Sequence, residues 1–295
     1  MPLSATNQKD NYSFTSFLQK LTESNDLEIF DGDKSGFEIA SQASDICKSG
    51  GKALLFDGDI PIAVNLMASN KRIEQALGMS IQSAADKARQ YIDNKTETQL
   101  SFTKSPEYEE IKLTSLPIKK HYKGDVSGSV NMGCVISEGY SCGIYRIQPL
   151  SDSKAVINCH SDSDLAAQLT KDTPVTIALG TSPHLIYTAA ASLPAGIDEL
   201  LMASYIHPET MLFISTDRFP VPIDTQVIIQ ATVSATEKHP EGPFFNYTDN
   251  YSKVSDFPVM SLESVKMIRG GIYHTTITGK MPTETTYILN AVSII

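Results

Sequence analysis

A carboxylate, a chain-breaking pair and a group of aromatic residues meet in one stretch, Glu241-Gly-Pro-Phe-Phe-Asn-Tyr-Thr-Asp-Asn-Tyr251. The stretch follows an apolar run, residues 227–233, which is typical of a buried strand. Gly242-Pro243 interrupts regular structure, so Glu241 is expected at the turn that ends this strand. A carboxyl group beside aromatic side chains is a candidate for acid-base chemistry. From these residues alone the alternative is a surface turn with a solvated Glu.

The same stretch resembles a family signature. Glu241-Gly-Pro-Phe followed by Tyr-Thr-x-x-Tyr is similar to the Glu-Gly-Pro-Phe-Gly-Glu-(Tyr)-Thr-Gly-Tyr signature of the UbiD family. Members of that family are reversible, non-oxidative decarboxylases that use prenylated FMN. Gly143-Ile-Tyr-Arg146 resembles the Gly-x-Tyr-Arg of the family's flavin site. Further segments agree in the family's order along nearly the whole chain, namely residues 52–56, 61–65, 72, 76–78, 177–180, 193–199 and 221–222.

The resemblance implies three catalytic positions. In the family an Arg and two Glu residues form a charged network beside the flavin, and Arg146 and Glu241 match the Arg and the first Glu. The second Glu, the family's proton donor, falls at Asn246, and an amide is not a useful proton donor near pH 7. Glu241, water or the substrate itself would have to take over that proton transfer. Without the resemblance, Arg146 reads as an ordinary arginine at the end of a strand.

The resemblance also implies the cofactor site. The flavin-binding motif falls on the segment Ser141, Cys142, Gly143, Ile144, Tyr145 and Arg146, with Ser141 where the family usually has Asn. The expected cofactor is prenylated FMN, or FMN.

A metal site belongs to the same expectation. The family holds the flavin phosphate through a divalent metal, Mn or Mg, and potassium, using an Asn, a His and a Glu. Glu199 matches the Glu, Ser141 stands at the Asn position, and His160 is the nearest candidate for the His. Asp162 and Asp164 are alternative oxygen ligands for a hard cation, or they form a solvated acidic turn.

Hydrophobic periodicity predicts an α/β (α+β) chain with two domains, residues 1–116 and 117–295. The first is expected to be a small α/β unit with helices at 14–21, 37–47, 73–77 and 83–92, strands at 27–30, 53–56 and 60–66, and a loop at 93–110. The second reads as strands at 130–137, 143–150, 155–159, 175–179, 211–215, 227–233, 259–268 and 272–277, with helices at 165–170, 183–191 and 197–204. The resemblance makes this second domain a split β-barrel that holds the flavin.

Composition limits the function classes. A net charge of −10 without a basic stripe argues against a nucleic-acid surface. Four scattered cysteines suit reduced thiols in the cytoplasm. No run approaches the ~18 apolar residues of a membrane span, and the N-terminus has no secretory signal. We therefore expect a cytoplasmic protein that binds neither nucleic acid nor membrane, and the resemblance implies that its ligand is a small-molecule carboxylic acid.

Two functions remain open at this point. Arg146, Glu199 and Glu241 standing in their motifs favour a short decarboxylase acting on an unsaturated or aromatic carboxylic acid. Asn246 and Ser141 favour a catalytically degenerate flavin-binding or scaffold subunit. Typical family members continue into a further α/β domain beyond the segment that resembles Gly279-Lys-Met-Pro282, and the chain is expected to lack it. A homo-oligomer or a partner subunit would then complete the substrate pocket.

Overall fold

Helices and strands alternate along most of the chain in the computed structural model, which describes residues 11–94 and 98–295. The helices are α1 (Phe14–Glu23), α2 (Gly36–Lys48), α3 (Asn70–Leu77), α4 (Ile81–Asn94), α5 (Asp164–Gln168), α6 (Pro183–Ala189), α7 (Glu199–Ile206) and α8 (Glu284–Val292). The strands are β1 (Leu27–Asp31), β2 (Ala53–Asp57), β3 (Ile62–Val64), β4 (Ser101–Phe102), β5 (Tyr108–Glu110), β6 (Val130–Ile136), β7 (Cys142–Pro149), β8 (Lys154–Asn158), β9 (Thr173–Leu179), β10 (Leu212–Ile214), β11 (Val221–Pro222), β12 (Val227–Glu241), β13 (Ser255–Ile268) and β14 (Tyr273–His274).

The N-terminal unit is an α/β layer, as the periodicity predicts. The apolar residues Phe14, Phe17, Leu18 and Leu21 all lie on the buried face of α1, because a spacing of three and four residues puts them on one side of a helix. The sheet has the order β1-β2-β3-β14. Its last strand comes from late in the chain and pairs in parallel with β3, so the C-terminal region completes the N-terminal sheet.

Six antiparallel strands close into a barrel. Their order is β12-β9-β6-β7-β8-β13, and pairing of β12 with β13 closes the ring, while β5 adds to the far side of β13. Alternate side chains such as Ile147, Ile177 and Ile229 are buried in one apolar cluster, which is the barrel interior. The α/β class with a β-barrel that the resemblance implied is confirmed.

The outer face of the barrel is also buried on one side. Cys134, Ala178 and Ile228 share an apolar cluster with residues of α1, α6 and α7. Strand residues alternate between the two faces, so β6, β9 and β12 are apolar on both. The continuous apolar runs in these strands follow from this double burial.

Several predicted boundaries were wrong, and each error has a long-range cause. The expected loop at 93–110 contains β4 and β5, which pair with β10 and β13. The expected strand at 272–277 is limited to β14, and β12 and β13 extend well past their apolar cores into polar sequence. The pairing partner, rather than local hydrophobicity, sets these ends.

Helix α8 is absent from the sequence expectations. Its first residue, Glu284, is 1% exposed and accepts hydrogen bonds from the backbone N–H groups of Met67 (2.8 Å) and Asn65 (3.2 Å). Burial raises the pKa of this carboxyl group. The contact attaches α8 to the turn that follows β3, on the N-terminal unit.

The proposed domain boundary between residues 116 and 117 stays a prediction. The sheets cross it, because β5 pairs with the barrel and β14 pairs with the N-terminal sheet. None of the helices within residues 11–94 and 98–295 has the length and apolar character needed to cross a membrane.

Ile228 tests the double burial of β12. Its side chain is 5% exposed on the outer face of the barrel, so Ile228→Asp buries an unpaired charge and should lower the free energy of unfolding by more than about 3 kcal/mol. Thr236→Asp, at an exposed position of the same strand, is the control and should change it by less than about 0.5 kcal/mol. Urea unfolding followed by circular dichroism measures both, and similar values would contradict the burial.

Candidate active site

An ion pair between Arg146 and Glu241 forms the centre of the site. Arg146 lies within β7 and Glu241 is the last residue of β12. Arg146 Nε donates to Glu241 Oε1 at 2.5 Å and Nη2 donates to Oε2 at 2.9 Å. Glu241 is 1% exposed. A bidentate arginine is therefore the main compensation for a carboxylate removed from water.

Asn158 is a third member that sequence reasoning missed. It lies on β8 directly opposite Arg146 in the strand register, and its Nδ2 donates to Glu241 Oε2 at 3.1 Å. No local signal distinguishes this Asn, since it follows an apolar strand like many others. Only the register of β7 with β8 brings it to Glu241.

A distortion of β12 explains how Glu241 reaches β7. The register between β12 and β13 shifts between Val233 and Lys238, and such irregularities bend a strand and increase its twist. Beyond the shift, β12 pairs only with β13 and leaves β9. The hairpin end then folds over β8, so that its last residue contacts Arg146.

The residues after Glu241 are held against the same strand. Gln148, two residues after Arg146 and on the same face of β7, accepts a hydrogen bond from the Gly242 N–H at 2.9 Å. Gly242 has φ +85°, a region that favours glycine. The Phe244 ring packs over the Arg146 guanidinium, 4.7 Å from centroid to Cζ, a cation–π contact. Alternate side chains of β7 thus bind the turn that follows Glu241.

The hairpin loop, residues 242–254, is also anchored from outside the barrel strands. The buried Asp125 accepts a hydrogen bond from the Phe245 N–H at 2.9 Å, and the Thr278 hydroxyl donates to the Phe245 carbonyl at 2.9 Å. The Gly124 N–H donates to the Tyr251 hydroxyl at 3.1 Å. These contacts hold the loop at both ends of its aromatic segment.

A cavity of about 450 Å³ opens beside the ion pair. It contains all three predicted catalytic positions, Arg146, Glu241 and Asn246, and also His160. Apart from Gly279, the remaining lining residues are polar or aromatic: Asn158, Tyr247, Ser252, Lys253, Ser255, Phe257, Thr278, Thr283 and Thr285. The structure therefore brings together, from four separate segments, residues that the motifs only suggested were related.

Asn246 shapes the loop. Its Oδ1 accepts hydrogen bonds from the Thr248 N–H at 2.9 Å and the Thr248 hydroxyl at 2.6 Å. This is the local turn that Asn side chains favour. At the position where the family has its acid, the Asn246 amide thus stabilises the turn of the loop.

Comparison with known proteins assigns the family. Residues 93–281 match the family described as the 3-octaprenyl-4-hydroxybenzoate carboxy-lyase Rift-related domain, UbiD. Residues 18–92 match the corresponding N-terminal domain, UbiD_N. The chain belongs to the UbiD family. An uncharacterized protein of Aquifex aeolicus (strain VF5) is 31% identical over 298 residues, which cover 85% of this chain and 61% of that relative. The chain therefore spans about six tenths of the relative's length.

Solved structures agree on the fold. An evolved dimeric form of the UbiD-class enzyme HmfF from Pelotomaculum thermopropionicum, in complex with prFMN, has a TM-score of 0.85 at 20% identity, covering 95% of this chain and 70% of that one. The open form of vanillic acid decarboxylase (ShVdcCD) from Sedimentibacter hydroxybenzoicus has a TM-score of 0.83 at 18% identity, with coverages of 94% and 66%. Apo 3,4-dihydroxybenzoic acid decarboxylase of Enterobacter cloacae has a TM-score of 0.76 at 15% sequence identity. The match covers 95% of this chain and 67% of that one.

The UbiD flavin motif lies along the start of β7, with its side chains on alternate faces. Tyr145 packs with the barrel interior, whereas Cys142 and Ile144 pack with the outer apolar cluster beneath the helices. Position 143 needs a glycine, because the Cβ atom of any other residue would lie 2.7 Å from the Tyr145 ring, which is too close. Of the six motif residues, Arg146 is the one that lines the cavity.

Glu199, one of the predicted metal ligands, lies at the other end of this segment. It begins α7, is 4% exposed, and accepts a hydrogen bond from the Cys142 N–H at 2.7 Å. Burial raises its pKa from 4.5 to about 7, while that hydrogen bond lowers it in part and Asp164 raises it further. A carboxyl group of this kind is half protonated near neutrality.

The three proposed metal ligands are only partly brought together. Ser141 adjoins Cys142 and so lies near Glu199, whereas His160 lines the cavity, edge-on to the Phe257 ring at 5.9 Å. Within residues 11–94 and 98–295, no three His, Cys, Asp or Glu side chains form a group suited to a metal ion. The assignment of Ser141, His160 and Glu199 as metal ligands stays a prediction.

The Arg146–Glu241 pair can be tested by stability. Arg146→Leu leaves a buried carboxylate with Asn158 alone and should lower the free energy of unfolding by about 3–5 kcal/mol. The double variant Arg146→Leu/Glu241→Leu removes both charges and should lose much less. Lys154→Leu, which breaks the exposed pair with Glu237, is the control and should cost less than about 1 kcal/mol. Urea unfolding measures all three, and additive losses in the double variant would argue against the pairing.

Glu199 gives a pH-dependent prediction. Between pH 4.5 and about 7 the folded protein holds a proton that the unfolded chain has released. The free energy of unfolding should therefore fall as pH rises through this window, by up to about 3 kcal/mol.

Glu199→Gln should abolish this component, because a Gln side chain has no proton to release. Urea unfolding of the parent and the variant, near pH 5 and near pH 8 in buffer containing a chelator, gives the change in unfolding free energy with pH for each protein. The difference between the two changes is the contribution of Glu199, since the other titrating groups contribute equally to parent and variant. Identical pH slopes would count against a raised pKa at Glu199.

Proposed function

We propose that this chain is a UbiD-like non-oxidative decarboxylase, a carboxy-lyase, acting on an unsaturated or aromatic carboxylic acid with prenylated FMN or FMN. The observation that carries the proposal is the bidentate Arg146–Glu241 pair in the wall of a cavity of about 450 Å³. The names of the structural relatives support it, since they include an enzyme in complex with prFMN and two decarboxylases of aromatic acids.

The residues present fit a flavin at this cavity. Its volume lies within the roughly 300–1,000 Å³ of small-molecule sites, and its wall combines Phe257 and Tyr247 with the arginine. Of the predicted cofactor-binding residues, Arg146 is the one in this wall, and it would hold the flavin there. When bound, the prenylated flavin supplies the electron sink that no side chain offers.

Arg146 has two tasks in this mechanism. It holds Glu241 in place with Nε and Nη2, and within the described residues its Nη1 has no other hydrogen-bond partner, so it is available to a substrate carboxylate. Its charge is permanent, so this orientation does not depend on pH. The Phe244 ring limits the movement of the guanidinium.

Glu241 is the carboxylate that moves the proton. It would accept a proton from solvent water on a carboxylate oxygen and deliver it to the carbon that has released CO₂, so that the C–CO₂ bond is replaced by a C–H bond. Asn246 keeps the loop in shape and can donate a hydrogen bond, but it does not replace the acid. The divalent metal, Mn or Mg, and potassium remain part of the proposal through Ser141, His160 and Glu199, and no proton step depends on them.

The setting of the site is part of the same proposal. We propose that a second copy of this chain or a partner subunit completes the pocket. Support comes from one relative named as a dimeric form and from another, ShVdcCD, whose name includes a separate component, ShVdcD. We propose a cytoplasmic location, supported by the four cysteines, which are all free and buried. The catalytically degenerate subunit is the second candidate, because Asn246 stands at the acid's position.

One pair of variants separates these candidates. Glu241→Gln should lower the rates of decarboxylation and of solvent-deuterium exchange by a factor of about 10² or more, while leaving flavin binding intact. Asn246→Glu should raise the rate, because it adds a proton donor beside the cavity. Protein expressed together with a flavin prenyltransferase, assayed under anaerobic conditions, provides the measurement.

Glu237→Gln serves as the matched control, since this Glu lies exposed on the same strand, paired with Lys154. It should behave as the parent. Equal rates in the parent and in Glu241→Gln would exclude Glu241 from the mechanism. A parent with bound flavin and no turnover, gaining activity only through Asn246→Glu, would support the degenerate subunit instead.

A further inference from the structure

The net charge of the cavity wall is opposite in sign to the net charge of the whole chain. The protein carries a net charge of −10, yet Glu241 is the one acidic side chain among the residues that line the cavity. The lining cations are Arg146 and Lys253. Arg146, Lys253 and Glu241 together give the cavity wall a net charge of +1. A positive recess in an acidic protein attracts an anionic ligand.

Lys253 supplies that excess charge. Arg146 is matched by Glu241 through two hydrogen bonds, so its charge is largely compensated. Within residues 11–94 and 98–295 Lys253 has no ion-pair partner. A lysine close by behaves differently, since Lys280 Nζ lies 3.3 Å from Asp249 Oδ2. Lys253, without an ion-pair partner among the described residues, is thus the lysine in the cavity wall, whereas Lys280, which does not line the cavity, forms an ion pair.

The environment of Lys253 suits an oxyanion. It stands between Ser252 and Ser255 in a segment that contributes all three residues to the cavity wall. The Ser252 hydroxyl oxygen accepts a hydrogen bond from the Phe244 N–H at 3.0 Å, which leaves its own proton to donate. An ammonium group with adjacent hydroxyl donors can bind carboxylate or phosphate oxygens by charge-assisted hydrogen bonds.

We propose that Lys253 binds the anionic group of the ligand in this cavity. The inference rests on the proposed function for the nature of that ligand, whose anionic oxygens belong either to the substrate carboxylate or to the flavin phosphate. Lys253 then determines specificity, because it favours acids over their uncharged analogues. It takes no part in proton transfer, which belongs to Glu241.

Binding measurements test this without relying on turnover. Fluorine NMR of para-fluorobenzoate and its uncharged analogue para-fluorobenzamide measures the preference for a carboxylate. Flavin fluorescence with FMN and riboflavin measures the preference for a phosphate. The purified full chain should prefer one anionic probe over its neutral analogue by roughly tenfold or more, and this preference should weaken with salt.

Lys253→Met should remove that preference and Lys253→Arg should retain most of it. Loss in the benzoate pair assigns Lys253 to the substrate carboxylate, and loss in the FMN pair assigns it to the phosphate. Lys280→Met is the matched control, with the same change of charge at a paired lysine, and should leave both ratios unchanged. Because Lys253 is exposed, its variants should melt at the parent temperature.

Two results would overturn the inference: a parent protein without preference in either pair, or a Lys253→Met variant that keeps the parent's ratios. A chain that discriminates acids through Lys253 but never decarboxylates would support this assignment while refuting the proposed function. The two failures are therefore distinguishable.

Discussion

Burial of the Glu241 carboxylate is the constraint on which the site depends. An ion that is 1% exposed loses its hydration, at an effective penalty of several kcal/mol. Arg146 and Asn158 offset this penalty with three hydrogen bonds from two adjacent strands. The carboxylate comes from the end of β12, so the pairing can form only where the bent hairpin meets β7 and β8. Fold and site are coupled through this one contact.

Three buried glutamates differ in the groups that compensate for the burial of their carboxyl groups. Glu199 and Glu284 accept hydrogen bonds from backbone N–H groups, and burial raises the pKa of both, although the more distant Arg72 charge and the Thr276 side chain lower the pKa of Glu284 in part. Glu241 instead faces a full positive charge in bidentate geometry. Glu284 attaches a helix and Glu199 holds the start of β7, whereas Glu241 is the one that lines the cavity. Burial alone therefore does not place a carboxyl group at a cavity.

The loop after Glu241 links the site to the rest of the molecule. Asp125, Gln148 and Thr278 each bind its backbone from a different segment. Such backbone contacts hold a loop in one conformation irrespective of its side chains. Position 246 can therefore differ from the family's acid without loss of the loop, because its amide makes its own turn with Thr248. The chemistry at this position is then free to change while the architecture persists.

Much of the architecture follows from the sequence by itself. The spacing of Phe14, Phe17 and Leu21 determines a helix, and the doubly buried strands read as continuous apolar runs, because both patterns express local burial. Such helix and strand patterns lie within a window of a few residues. The pairing of Arg146 with Glu241 was predicted through the family resemblance of their motifs, since the residue types alone left Glu241 as a turn residue and Arg146 as an ordinary strand-end arginine.

Other features were decided by the tertiary structure alone. Asn158 becomes a partner of Glu241 through the register of β7 with β8, and Lys253 lines the cavity because a hairpin folds over. The short strands β5 and β14 form because strands far away in the chain pair with them. Glu284 is buried because it accepts hydrogen bonds from backbone groups that are equally distant in sequence. β5, β14 and Glu284 contact segments more than a hundred residues away, whereas the register of β7 with β8 and the bend of β12 are set between strands that follow one another in the barrel sequence. No local pattern encodes which of these contacts will form.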